Sequence, residues 1–167
     1  MTSFFVTESF DVPTSKQRLG GRIVNKDNLQ EFWKRAGNIA DKRGCYVFSL
    51  RAGKGEKPWY IGKASQQALS KECFSLHKLY VYNEVLGNHN GTPLLTFVIP
   101  THVKGPWPAF AIDEVEEFLI GFGASRNANI ANKRKLPHQK WSIQGVVATS
   151  KGAPTSEASC FKKLMGI

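Results

Sequence analysis

Two apolar segments lie close together in this chain and constrain its fold more than any other feature. Residues 44–48 read Gly-Cys-Tyr-Val-Phe, and residues 59–64 read Trp-Tyr-Ile-Gly-Lys-Ala. The glycine- and lysine-rich segment 53–58 between them is typical of a turn. The pattern predicts a β-hairpin that brings Tyr46 and Tyr60 close together on a small sheet. Because tyrosine favours strands in any protein, two ordinary core tyrosines are an equally good interpretation of the hairpin alone.

Apolar periodicity predicts the elements around this hairpin. A stripe made of Leu69, Cys73, Leu76 and Leu79 or Tyr80 predicts one long helix. In another predicted helix, Asp113 falls in the first turn, where its charge favours the helix dipole. The predicted helices are 28–40, 65–86, 111–122 and 156–164, and the predicted further strands are 93–100 and 141–147. Residues 1–24 carry scattered aromatic side chains and are interpreted as an extension or an edge element.

This order of elements predicts an α+β fold, in which a small three-stranded antiparallel sheet is flanked by helices. A length of 167 residues is typical of one domain with extensions. We therefore divide the chain into three parts. Residues 1–40 form an N-terminal extension and helix, residues 41–135 a core, and residues 136–167 a C-terminal extension packed on or near the core.

The charge of the chain favours a polyanionic partner. Lysine and arginine total 23 against 13 acidic residues, which gives a net charge of +10, and basic residues cluster at 133–135 among other places. An excess of this size in a short chain is typical of proteins that bind nucleic acid. No apolar run approaches the roughly 18 residues of a membrane span, so a membrane partner is not expected.

The cysteines and the N-terminus indicate a cytoplasmic protein. Cys45, Cys73 and Cys160 are far apart and show no metal-binding spacing. The first residues lack the basic region and sustained apolar segment of a secretory signal. We expect a reduced, cytoplasmic setting and no organic cofactor.

The triplets 44–46 and 60–62, Gly-Cys-Tyr and Tyr-Ile-Gly, resemble the two motifs of the GIY-YIG nuclease superfamily. Cys45 stands where isoleucine is usual, and both residue types fit a buried strand position. The sequence Glu-Glu-Phe-Leu-Ile at 116–120 is similar to the glutamate-containing helix of the family. A loop ending in asparagine follows that helix in the family. Asn132 fits that asparagine best, with Asn129 and Asn127 as alternatives. The resemblance covers residues 44–132, about half of the chain.

The resemblance implies a metal-dependent endonuclease that hydrolyses phosphodiester bonds in DNA, with RNA left open as a substrate. Glu116 would hold a single Mg²⁺ or Mn²⁺, and Tyr60 would be the general base that takes a proton from water. Tyr46 would orient that water or share the base role. Lys63 would supply the cation near Tyr60 and hold the phosphate, and Asn132 would brace the site.

The sequence departs from the family at its helical arginine, whose position falls on Ser70. His77 and Lys78 lie seven and eight residues further along the predicted helix, so they are expected on the same face. Lys71 is rotated from Ser70 by about 100° and is a weaker candidate. The missing arginine also supports an alternative, a catalytically weak or inactive nucleic-acid-binding domain on the same scaffold. A basic interaction module with a chance resemblance is the third interpretation.

Overall fold

The computed structural model describes residues 2–18, 20–53, 55–101 and 105–132, together with Thr155, Ser156, Cys160 and Leu164. The chain divides into two compact units, residues 1–135 and residues 136–167. In the second unit Ser156, Cys160 and Leu164 are helical and fall in the range predicted to be a helix. The predicted strand 141–147 and the basic cluster 133–135 lie outside the described residues.

The described part of the first unit combines an antiparallel sheet with four α-helices, so the predicted α+β class is confirmed. The strands are β1 Phe4–Asp11, β2 Ser15–Lys16, β3 Arg22–Ile23, β4 Gly44–Ala52, β5 Gly55–Ala64 and β6 Thr92–Pro100. The α-helices are α1 Leu29–Ala36, α2 Leu69–Glu72, α3 Leu76–Asn88 and α4 Ala109–Arg126, and a 3₁₀ helix, Gly37–Asp41, follows α1.

The main sheet has four strands in the order β1-β6-β4-β5, so the predicted count of three was wrong. All neighbouring strands are antiparallel. The fourth strand is β1, in the segment interpreted as an extension or an edge element. Each of its eight residues is exposed or half-buried. The period-2 alternation that identifies a strand in a sequence is therefore weak in β1. β2 and β3 form a separate two-stranded sheet.

Helices cover both faces of the main sheet. Tyr46 and Phe48 of β4 pair with Gly62 and Tyr60 of β5, and these residues face the larger core together with α1, α2 and α3. On the opposite face Cys45 packs against α4 in a smaller core. Because side chains alternate along a strand, Ile61 and Lys63 share that second face.

The predicted helix 65–86 is two helices, α2 and α3, interrupted at residues 73–75. The interruption changes the helical phase. Leu76 and Tyr80, which the sequence placed on the buried stripe, are 76% and 69% exposed. Of the predicted alternatives Leu79 and Tyr80, Leu79 is the buried one. Tyr82 is also buried, and its ring stacks on Phe48 with centroids 4.1 Å apart.

Packing requires glycine in both sequence triplets. A Cβ atom at Gly62 would lie 2.4 Å from Cζ of Tyr46, whose ring crosses over Gly62 from the neighbouring strand. A Cβ atom at Gly44 would lie 2.4 Å from the carbonyl oxygen of Val98 on β6. Gly62 therefore makes room for the Tyr46 ring, and Gly44 allows β4 and β6 to pair closely.

Candidate active site

The hairpin of β4 and β5 brings two phenol rings together. The ring centroids of Tyr46 and Tyr60 are 6.3 Å apart, and both side chains are buried on the face that carries the larger core. Tyr60 also meets Tyr82 of α3 edge to face, with centroids 6.1 Å apart. This aromatic group, Tyr46, Tyr60 and Tyr82, fixes the orientation of the Tyr60 ring through packing.

Tyr46 is poorly suited to proton transfer. Burial, and then the nearby Tyr82 and Cys73 side chains, raise the pKa of Tyr46 well above its usual range. Its hydroxyl is buried and has no hydrogen-bond partner among the described residues. Tyr46 therefore stays neutral, and Tyr60 is the member of the pair that remains as a candidate base.

We expect Tyr46→Phe to raise the free energy of unfolding by about 1 kcal/mol, because it removes a buried hydroxyl without a partner. Urea denaturation measures the change. Tyr80→Phe, at an exposed position, is the control and should stay within about 0.5 kcal/mol of the wild type. A loss of stability in Tyr46→Phe would show that the hydroxyl is satisfied and would contradict this expectation.

Helix α3 presents Lys78 to Tyr60. The Lys78 Nζ atom lies over the Tyr60 ring, 5.2 Å from its centroid. Glu72 lies on the other side of the ammonium group, with Oε1 3.6 Å from Nζ. Burial lowers the pKa of Lys78, but the interaction with Tyr60 and the charge of Glu72 outweigh it, so the pKa is raised. The Lys78 ammonium group is therefore positively charged where it lies beside Tyr60.

His77 and Lys71 are exposed, and no contact described in the structure joins either of them to the tyrosine pair. His77 precedes Lys78 by one residue and is rotated from it by about 100°. The prediction that His77 shares a face with Ser70 assumes one continuous helix. The interruption at 73–75 breaks that helix, so the assumed helical phase does not apply. Lys78 alone of these three candidates contacts Tyr60 in the described part of the chain.

A second cluster lies on the opposite face of the sheet, between β5 and α4. The Lys63 Nζ atom is 3.2 Å from Oε2 of Glu116 and 3.0 Å from Oδ1 of Asp113. Glu116 is only 2% exposed. Burial lowers the pKa of Lys63, but its hydrogen bonds to Asp113 and Glu116 raise it above the usual value. Lys63 is therefore charged and paired with both carboxylates, and in this structure it does not contact Tyr60.

Asp113 is a member of this cluster that the sequence analysis missed. It was assigned only to the first turn of a helix starting at residue 111, but α4 starts at Ala109. Asp113 precedes Glu116 by three residues, a spacing that places two side chains on the same side of a helix. That spacing is the signal that would have identified it.

The two carboxylates form a donor set that suits a hard divalent cation. Their oxygen atoms converge on one position that the Lys63 ammonium group holds. Mg²⁺ is commonly bound by one or two carboxylates and keeps several waters. Within the described ranges, no group of three or more His, Cys, Asp or Glu side chains could hold a metal ion. Such an ion would have two protein ligands among the described residues, Glu116 and Asp113, and water would complete its coordination.

Cys45 lies beside this cluster, opposite Lys63 in the β4–β5 pairing. Its thiol donates a hydrogen bond to the carbonyl oxygen of Ile112 on α4, at 3.3 Å. Burial, and then the charge of Glu116, raise the pKa of Cys45 to about 12. The thiol is thus a neutral packing group that ties β4 to α4.

Asparagine side chains cover the outer edge of β5. The Asn132 side chain accepts a hydrogen bond from the Ile61 N–H at 3.3 Å and donates one to the Ile61 carbonyl oxygen. The buried Asn127 side chain donates to the Pro58 carbonyl oxygen at 2.7 Å, and its Oδ1 accepts from the Asn129 N–H. Asn132 and Asn127 therefore both brace β5, whereas Asn129 only supports Asn127.

The two clusters are close along β5 although they occupy opposite faces. Tyr60 and Lys63 are three residues apart, which corresponds to about 10 Å along a strand. β5 is the outermost strand of the sheet, so side chains on both of its faces border one edge.

Comparison with protein-family models, curated proteins and solved structures gives no significant match to this chain. Among the described residues, none of the helices combines the length and the apolar character that crossing a membrane requires.

Proposed function

We propose that this protein is a metal-dependent endonuclease of the GIY-YIG type that hydrolyses phosphodiester bonds in DNA. The observation that carries the proposal is the position of the Lys78 ammonium group over the Tyr60 ring, beside Tyr46 on the hairpin that holds both triplets. Lys63 follows Tyr60 by three residues on β5 and forms an ion pair with Glu116 of α4. The net charge of +10 suits a polyanionic substrate.

Tyr60 is the proposed general base. In the phenolate form, its oxygen would accept a proton from the attacking water as the new P–O bond forms, and the leaving oxygen would depart and take a proton from solvent. Lys78 lies over the Tyr60 ring and would place a positive charge beside the reacting phosphate, as the arginine of the family would. A lysine lacks the bidentate fork of arginine, so we expect a slower enzyme than one that carries the arginine.

Glu116 and Asp113 are the proposed metal ligands. A bound divalent ion would stabilise negative charge on the phosphate and on the leaving oxygen. Lys63, which these carboxylates neutralise in the structure, is the proposed phosphate-binding cation on this face. Asn132 would keep β5 in place through its two hydrogen bonds to Ile61.

One observation favours a second candidate function, a nucleic-acid-binding domain without cleavage. Glu116 is buried, neutralised by Lys63, and on the face opposite Tyr60. Binding to a polyanion needs a basic surface but no such catalytic arrangement. A pure binding domain would show strongly salt-dependent affinity, because bound cations are released from the nucleic acid.

Incubation of the purified protein with circular and linear DNA, in Mg²⁺, Mn²⁺ or EDTA, separates the two functions. The endonuclease proposal predicts nicked or linear products with either metal ion and none in EDTA. RNA of matched length is included as an alternative substrate. Salt-dependent binding with no product in any metal ion would reject the endonuclease and support the binding domain.

We expect Lys78→Ala to lower the cleavage rate by about 10²-fold, as loss of one preorganised charge at a reacting group typically does. His77→Ala and Lys71→Ala are the matched controls and should cleave at the wild-type rate, because both side chains are exposed. Single-turnover rates on the same DNA compare the three variants. Loss of activity in Lys71→Ala alone would place the phosphate contact on α2 and contradict the role of Lys78.

A further inference from the structure

The side of α4 that faces away from the sheet carries a row of exposed residues that begins at Phe110. Glu114, Phe118, Phe122 and Arg126 follow one another at intervals of four, which places them along one ridge of the helix. Phe118 is 64% exposed and Phe122 is 48% exposed, and their ring centroids are 4.6 Å apart. Glu116 points to the opposite side of α4, so this ridge is separate from the carboxylate cluster.

The ridge is self-complementary in charge. A two-fold axis midway between Phe118 and Phe122 would place a second copy of α4 antiparallel to the first. Glu114 would then face Arg126 of the second copy, and Phe118 would face Phe122 of that copy. Within one helix Glu114 and Arg126 are about 18 Å apart, too far to pair. Ridges of this kind pack against each other at a crossing angle of about −50°.

Gly121 is a second observation that supports a contact between two copies of α4. It lies on the exposed side of α4, and a Cβ atom there would meet no atom within 4 Å among the described residues. A glycine inside a helix lowers its stability relative to alanine, and no contact within the described chain requires one here. Close approach of a second helix beside the two-fold axis would require it.

We infer that α4 is the interface of a homodimer, in which the two copies pack through Phe118 and Phe122 and pair Glu114 with Arg126. Two-fold interfaces use the same patch on both subunits, and this patch matches itself in charge. The dimer would form whether or not the proposed function is correct, because its contacts include no residue of the two clusters.

Sedimentation of the full chain over a range of concentrations tests the dimer. We expect a dimer in the wild type and an affinity lowered by about a hundredfold or more in Phe118→Asp, since the change acts twice in a symmetric interface. Leu76→Asp, at an exposed leucine on α3, is the matched control and should remain dimeric. A wild type that is monomeric at every concentration overturns the inference, as does a dimer that Phe118→Asp leaves intact.

A charge exchange tests the antiparallel arrangement. Glu114→Arg and Arg126→Glu should each weaken the dimer by about tenfold, because each places like charges together at two symmetric positions. The double variant restores both pairs and should dimerise like the wild type. A double variant weaker than either single one overturns the antiparallel pairing.

Discussion

Replacement of Tyr60 by phenylalanine is expected to slow DNA cleavage by about 10²–10⁴-fold, the loss typical of removing a general base. The change removes only the hydroxyl of the ring over which Lys78 lies. The ring contacts with Tyr46 and Tyr82 remain, so the variant should fold normally. Single-turnover rates in Mg²⁺ measure the effect, and circular dichroism verifies the fold.

Tyr82→Phe and Tyr46→Phe are the matched controls for this change. Both residues belong to the same aromatic group, and burial raises the pKa of each well above its usual range. Neither is therefore suited to accept a proton, and both variants should keep most of the activity. Equal and small effects of all three changes would mean that the tyrosines are structural.

Replacement of Gly62 by alanine is expected to lower the free energy of unfolding by about 3 kcal/mol, at the upper end of the cost of overpacking a core. The new Cβ would lie 2.4 Å from the Tyr46 ring, which is completely buried and cannot move aside freely. Urea denaturation gives the change in stability. Gly55→Ala is the control on the same strand, because a Cβ there meets no described atom within 4 Å.

A second substitution identifies the cause of that loss. Tyr46→Leu shortens the opposing side chain, so the pair Gly62→Ala and Tyr46→Leu should cost less than the two single changes added together. Additive losses would show that the alanine clashes with something other than Tyr46. A Gly62→Ala variant as stable as Gly55→Ala would contradict the packing described here.

Much of the fold was predictable because its signals are local. The hairpin strands and β6 are short apolar runs bounded by glycine or proline, and that signal lies within each segment. β1 lacks such a pattern, since its residues are exposed or half-buried, and its place in the sheet depends on pairing with β6, far along the chain. The interruption between α2 and α3 was also missed, because apolar residues continue through it at nearly helical spacing.

The candidate site was predictable only in part, for a similar reason. The triplets locate Tyr46 and Tyr60, since both lie on one hairpin. The partners of the charged residues depend on packing between distant elements. Lys63 pairs with Glu116 across the sheet face that α4 covers, and Lys78 reaches Tyr60 from α3. A single sequence without a fold does not show which of two lysines contacts which acid or phenol.

We propose that the Tyr60 cluster and the Glu116 cluster, on the two faces of β5, act in one site. The most direct measurement is the rate of Mg²⁺-dependent DNA cleavage by the wild type, Tyr60→Phe, Glu116→Gln and the double variant. The wild type is expected to cleave only with a divalent ion, both single variants to lose most activity, and the double variant to be no slower than the slower single one, because groups that act as a unit are not additive. A double variant slowed by the product of the two single effects, or a wild type that does not cleave, would contradict the claim.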